Sequence, residues 1–251
     1  MPITIKSDSE IEKMRLAGKV VAKTLEYLKN NITAGVTTKY LNQITDEFIK
    51  SQNAIPSFKN YNGYPASVCI SINEEVIHGI PSKRKLVDGD VVSVDIGAIL
   101  NGYHGDAART FIVGKTSIEN QKLVDVTQKS FFEGIKLAKA GNHLFDISAA
   151  IQDFVEANGF SVVKDYVGHG IGTQMHEAPE IPNYRQNRRG PKLEKGMTLA
   201  IEPMVNLGTD EIILLDDGWT VITADKKCAA HYENTILITD GQPEILTATD
   251  F

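Results

Sequence analysis

The stretch Leu86-Val87-Asp88-Gly89-Asp90-Val91-Val92-Ser93-Val94-Asp95 has a counterpart 107 positions later, Leu193-Glu194-Lys195-Gly196-Met197-Thr198-Leu199-Ala200-Ile201-Glu202. Both read as Leu-x-x-Gly, then a short apolar strand that arrives at a carboxylate. Upstream, Ala34-Gly35 with Leu41, Phe48 and Ile49 matches Ala140-Gly141 with Ile147, Phe154 and Val155 at an offset of 106. Downstream, the stretch from Asp106 to Gly114 lies opposite that from Glu233 to Gly241 at an offset of 127, so the second half holds about 20 extra residues around Trp219. The chain reads as an internal duplication, with half-repeats of about 7–114 and 117–246 in one catalytic domain spanning 1–251.

Each half reads as two helices followed by strands. Ser7 or Ser9 caps a helix running to about Asn30, with Ile11, Met14, Ala17, Val21, Leu25 and Leu28 on one face. A second helix starts near Thr37 or Thr38 and carries Leu41, Ile44 and Phe48. A third opens at Ser117 with Leu123, Val126, Phe131 and Ile135. A fourth runs from about Leu144 to Asn158 with Ile147, Ile151, Phe154 and Val155, and stops at Asn158-Gly159. Between the pairs the chain is extended and punctuated by glycine, with Asn101-Gly102-Tyr103-His104-Gly105 as a hairpin connection.

Composition narrows the function classes. The chain has 251 residues, 42% hydrophobic and 23% charged, which suits a globular protein with a sizeable core. A net charge of −6 gives no footprint for nucleic acid or an anionic membrane. The basic run Lys83-Arg84-Lys85 reads as a solvated loop. No apolar run approaches a membrane span, and the amino-terminal residues lack a signal-peptide pattern. With only Cys69 and Cys228, free thiols in a reducing cytoplasm are the simpler reading.

Asp95, Asp106, Glu202 and Glu233 each sit in or beside an apolar strand, where a carboxylate is costly unless it meets a cation. One such residue would ordinarily be half of an ion pair. Four at duplicated positions, without Lys or Arg beside them, favour a shared pair of divalent metal ions. His169, in Gly168-His169-Gly170-Ile171-Gly172, adds an imidazole; that run lacks the pattern of a phosphate loop. His176-Glu177 follows seven positions later, and the glycines let the backbone crowd a site that presents both imidazoles.

At this point the sequence resembles a known family. The segments from Asn73 through His78-Gly79-Ile80-Pro81, Asp95 with His104-Gly105-Asp106, the glycine run around His169, Met175-His176-Glu177, Glu202-Pro203-Met204 and Tyr232-Glu233 stand in the order seen in type I methionine aminopeptidases. The resemblance extends from the first helix to Leu246, and it is to the short bacterial form. It implies an α+β pita-bread fold: a curved antiparallel sheet backed by two helix pairs, with pseudo-twofold symmetry. It implies that Asp95 binds one metal, that His169 and Glu202 bind the other, and that Asp106 and Glu233 bridge. Oxygen-rich ligands favour Mn, Fe or Co, with Zn also compatible. His169 has no first-half counterpart, so the metal site it serves is expected to fill first.

The resemblance further implies removal of the initiator methionine from nascent polypeptide N-termini with a small second residue, on or near the ribosome, by a cytoplasmic monomer. Glu202 would move the proton of the attacking water, His176 would stabilise the carbonyl oxygen, and His78 would contact the substrate backbone. Phe58, Tyr61, Tyr64, Cys69, His78 and Trp219 would line the methionine pocket, with Tyr166 and Met175 nearby. Several positions depart from the family pattern: Phe58 stands where Cys is common, Met175 where Phe is frequent, and His231 and Asn234 where Gln and His are commoner. They bear on inhibitor profile and metal preference rather than on the reaction, and His231 is a candidate for an accessory ligand or a supporting group. A prolidase or aminopeptidase P acting on Xaa-Pro peptides is the rival on the same fold, but those proteins usually carry an additional amino-terminal domain. A noncatalytic binding scaffold is the rival from another class, and such relatives have typically lost metal ligands.

Overall fold

The computed structural model describes residues 2–251. Four helices form where the sequence places them: α1 (Asp8–Lys29), α2 (Thr38–Ser51), α3 (Ile118–Ile135) and α4 (Leu144–Ala157). Each start has a local cause. Ser7 donates its N–H to the Glu10 carboxylate (2.8 Å), while Thr37 and Ser117 accept from the backbone N–H three residues ahead, each at 3.1 Å. Such caps satisfy amides that the first turn leaves unpaired. Asn158 and Gly159 end α4, the glycine at φ 87°, a left-handed value that it adopts without steric cost.

The helices pair within each half, α1 with α2 and α3 with α4. Each pair covers its own apolar core. One contains Val21, Leu25, Leu41, Ile49, Val92 and Val94; the other contains Phe131, Ile147, Ile151, Leu199, Ile201 and Ile236. The equivalent residues Phe48 and Phe154 are both half-buried, in contrast to the fully buried Ile49 and Val155 that follow them.

The strand layer comprises hydrogen-bonded sets of four, five, three and three strands, all antiparallel. In the first half Val91–Leu100 pairs with Tyr103–Ile112 along its whole length. The turn is therefore only Asn101-Gly102, with φ values of 54° and 79°, the positive pair that a two-residue hairpin requires. This corrects the five-residue connection expected from sequence: Tyr103, His104 and Gly105 belong to the strand. In the second half the corresponding partners are Thr198–Ile201 and Asn234–Leu237, separated by the additional segment. That segment folds back onto the first half, where its strand Val221–Thr223 pairs with Glu75–Ile77.

The halves join at the acid-bearing strands. Ala108 and Glu233 exchange backbone hydrogen bonds (3.0 and 3.3 Å), and the Thr235 hydroxyl accepts from the Asp106 N–H and donates to the Asp106 carbonyl. The last segment of the chain is brought in as well, Leu246 N–H donating to the Thr235 carbonyl. Gly18 of α1 lies directly under Leu246, and a Cβ there would sit 2.3 Å from its carbonyl oxygen. We expect Gly18→Ala to destabilise the protein by about 1–3 kcal/mol, the usual cost of forcing atoms into a packed site. Urea denaturation of the two proteins checks this.

Candidate functional site

The joined strands bring five side chains to one floor. Asp95 lies mid-strand, opposite Cys69, and the strand continues past it to Leu100. Asp106 lies opposite Gly97 on the partner strand, while Glu202 directly follows Thr198–Ile201 and Glu233 lies between two short strands. His169 pairs with Ala200 in the neighbouring strand Gly168–Gly170. Both flanking glycines are required there: a Cβ at Gly168 would meet the Ala200 carbonyl at 2.4 Å, and one at Gly170 the Ala178 carbonyl at 2.2 Å. The glycine run is thus a crowded strand.

The electrostatics of this floor are those of a cation site. Asp106 and Glu233 are buried, and Asp95 and Glu202 are partly open to the cavity above. Among the described residues no Lys or Arg forms an ion pair with any of the four. Asp95 Oδ1, Asp106 Oδ1 and Glu233 Oε1 are buried without hydrogen-bond partners. Burial pushes the Asp95 carboxyl up to about 7. Burial first, and then the charges of neighbouring acids, holds Asp106, Glu202 and Glu233 well above the usual carboxylate range.

His169 completes the arrangement. Its Nδ1 faces the Gly170 carbonyl at 2.8 Å, and because a carbonyl only accepts, Nδ1 carries the proton. The lone pair is therefore on Nε2, which stands 3.7 Å from Asp106 Oδ2 and 3.7 Å from Glu202 Oε1. Those gaps are too long for hydrogen bonds and suit donors arranged around an ion. Donor atoms of Asp106, His169 and Glu233 lie within 4.8 Å of one another, as do those of Glu202, His231 and Glu233. The residues present thus fit divalent metal.

Above the floor lies a cavity of about 190 Å³. Every pocket residue expected from sequence lines it: Phe58, Tyr61, Tyr64, Cys69, His78, His176 and Trp219, with Met175 beside them. Tyr166 is not on the lining but sets its ring edge-on to His78, with centroids 5.6 Å apart. Phe58 reaches the wall because Gly97 leaves room for it; a Cβ there would meet its ring at 2.7 Å. Trp219, delivered by the second-half segment, packs edge-on against Tyr64 and His78 of the first half. His176 lies tilted against His169, with ring centroids 4.2 Å apart, and its Nδ1 is hydrogen-bonded to the Tyr61 hydroxyl at 2.7 Å. Burial lowers both His176 and His78, the latter to about 4. His78 has φ 60°, a left-handed conformation that costs a non-glycine residue about 1–3 kcal/mol and is common at functional sites.

Two residues escape the sequence reading. Asn62 lines the cavity, signalled only by its place in the Tyr61-Asn62-Gly63 turn. Arg109 lies behind the floor: it donates to the Glu233 carbonyl (2.6 Å), to Asn234 Oδ1 (2.8 Å) and to the Thr247 carbonyl (3.4 Å), with its guanidinium over the Tyr232 ring. No spacing in the sequence connects it to those partners.

Comparison with known proteins places this geometry in a class. Residues 12–240 match the family model described as metallopeptidase family M24. A methionine aminopeptidase of Clostridium acetobutylicum is 59% identical, the match covering 98% of each chain. The crystal structure of a methionine aminopeptidase from Rickettsia prowazekii superposes with a TM-score of 0.97 at 43% identity, covering 98% of this chain and 100% of that one. That of the Thermotoga maritima enzyme gives 0.96 at 48% identity, covering 98% and 99%. The chain belongs to metallopeptidase family M24 and, within it, to the methionine aminopeptidases. Its fold is the pita-bread fold that the resemblance implies, in agreement with the duplication.

The raised carboxyls predict a pH dependence in chelator. Groups raised above their unfolded values near 4 bind more protons folded than unfolded, so stability is lost as pH rises through the folded values. Buried histidines lowered to about 3 or 4 act in the opposite sense, mainly below about 6.5. The histidine contribution fades over the unit above about 6.5, so between about pH 7 and 8 the carboxylates dominate. The urea midpoint in chelator should fall across that window, and excess divalent ion should abolish the fall because ions bind the deprotonated ligands.

Proposed function

We propose that the chain removes the amino-terminal methionine from polypeptides, in one catalytic domain of two duplicated halves, about 7–114 and 117–246. The observation that carries the metal part is the His169 geometry: a lone pair aimed between Asp106 and Glu202 over carboxylate oxygens that nothing else satisfies. Asp95, Asp106, His169, Glu202 and Glu233 would hold two divalent ions. Their oxygen-rich set suits Mn, Fe or Co, and Zn is compatible. When bound, such ions polarise a carbonyl and bring the pKa of a water toward neutrality.

The chain's own residues supply the rest. Glu202 reaches the cavity from the floor, where its carboxylate can take a proton from water and pass it to the leaving amine. His176, steadied through Nδ1 by Tyr61, leaves Nε2 to donate to the oxygen on which charge develops. His78, held between Tyr166 and Trp219, faces the substrate backbone beyond the scissile bond. Phe58, Tyr61, Tyr64, Cys69 and Trp219 form an apolar pocket for one thioether side chain. Its volume of about 190 Å³ is below the roughly 300–1,000 Å³ typical of drug-sized ligands. The substrate's free amino group would sit at the Asp95 end of the floor, which restricts cleavage to the first residue.

Among the described residues no helix is long and apolar enough to cross a membrane. Cys69 and Cys228 are unpaired, in keeping with a reducing cytoplasm. Nascent chains with a small second residue are the proposed substrates, met as they leave the ribosome by a monomeric enzyme.

Metal-free protein titrated with Mn(II), Fe(II), Co(II) and Zn(II) should release methionine from Met-Ala-Ser only after ion is added, leaving Xaa-Pro peptides intact. Preferential Xaa-Pro cleavage would overturn the proposal. His176→Ala should lower kcat roughly 100-fold, as loss of one oxyanion donor commonly does, while metal content stays unchanged.

A further inference from the structure

A second imidazole stands beside Glu202. His231 ends the strand Ala229–His231, opposite Met204. One hydroxyl fixes its backbone: Thr110 Oγ1 donates to the His231 carbonyl (2.8 Å) and accepts from its N–H (2.9 Å). The residue is 2% exposed, and its Nε2 is buried with no hydrogen-bond partner. That nitrogen lies 3.8 Å from Glu202 Oε2 and 3.9 Å from Glu233 Oε2.

These gaps exceed hydrogen-bonding distance. They match two donors on one ion, because bonds of about 2.0–2.2 Å place neighbouring donors roughly 3–4 Å apart. The other oxygen of Glu202 shows the same spacing, 3.7 Å to His169 Nε2. Glu202 therefore lies between two imidazole nitrogens, one facing each oxygen. Left to the protein alone, the His231 nitrogen is an unsatisfied buried polar atom facing two carboxylates, and a cation among the three satisfies all of them.

Building on the metal reading above, we infer that His231 is a further metal ligand that joins Glu202 and Glu233 in a second imidazole–dicarboxylate set for a divalent transition metal. The donor atoms of these three residues lie within 4.8 Å of one another. Glu233 belongs to both this set and the Asp106–His169–Glu233 set, so the two are contiguous. An added nitrogen donor shifts preference from Mg or Ca toward Co, Fe or Zn.

Affinity alone does not test this, because removing a group that merely hydrogen-bonds a ligand already costs about 10–100-fold in metal binding. X-ray absorption of the Co(II)-loaded protein counts the imidazoles directly. Two per protein are expected, falling to one in His231→Gln, with circular dichroism confirming the fold; His231→Asn serves if the glutamine variant does not fold. An unchanged imidazole count in a folded variant that still holds Co(II) overturns the assignment of His231 and leaves the five-residue centre standing. Unsubstituted protein that retains no Co(II) after dialysis overturns the metal centre as a whole, His231 included.

Discussion

Mutual repulsion among Asp95, Asp106, Glu202 and Glu233 is the constraint around which this molecule is organised. Among the described residues no Lys or Arg is paired with these four carboxylates, and Asp95 Oδ1, Asp106 Oδ1 and Glu233 Oε1 lack a hydrogen bond. Such a cluster is unfavourable in the protein alone and becomes favourable with cations present. The scaffold therefore has to hold the acids together against their own charge. It does so with backbone: the Ala108–Glu233 exchange and the Thr235 hydroxyl on both polar groups of Asp106 bind the strands across the midline. Separate apolar cores behind each half, under α1–α2 and α3–α4, keep those strands from parting.

Duplication supplies the acids twice, and the exceptions to symmetry shape the cavity above them. His169 has no first-half equivalent, so the two sides of the floor differ in donor chemistry. The additional segment of the second half crosses to pair with Glu75–Ile77 and sets Trp219 against Tyr64 and His78. The floor is thus built by like parts and the pocket by unlike ones.

What could be read from the sequence was local or repeated. Caps at Ser7, Thr37 and Ser117 place the helices because capping involves residues three apart. The four acids emerge because each recurs in an apolar strand at matching positions. The tight Asn101-Gly102 turn reads too long from sequence because Gly105 adds a second turn-like residue close behind it, and only strand pairing assigns Tyr103, His104 and Gly105 to the strand. Asn62, Arg109 and the clearance at Gly97 that admits Phe58 depend on contacts between distant segments, which no spacing encodes. Arg109 is the clearest case: Glu233, Asn234 and Thr247, three of the residues that accept from it, are more than a hundred positions away.

The reach of Arg109 also bears on biogenesis. Asp95 and Asp106 are synthesised well before Glu202 and Glu233, and the Thr247 carbonyl follows later still. The floor closes only when these ends meet, through Arg109 and through the backbone exchange of Ala108 with Glu233. A chain translated only through Asp106 has two of the four acids and none of the contacts that hold them in register with Glu202 and Glu233. Neither half alone can assemble the floor, which waits for the strands around Glu233 to be made.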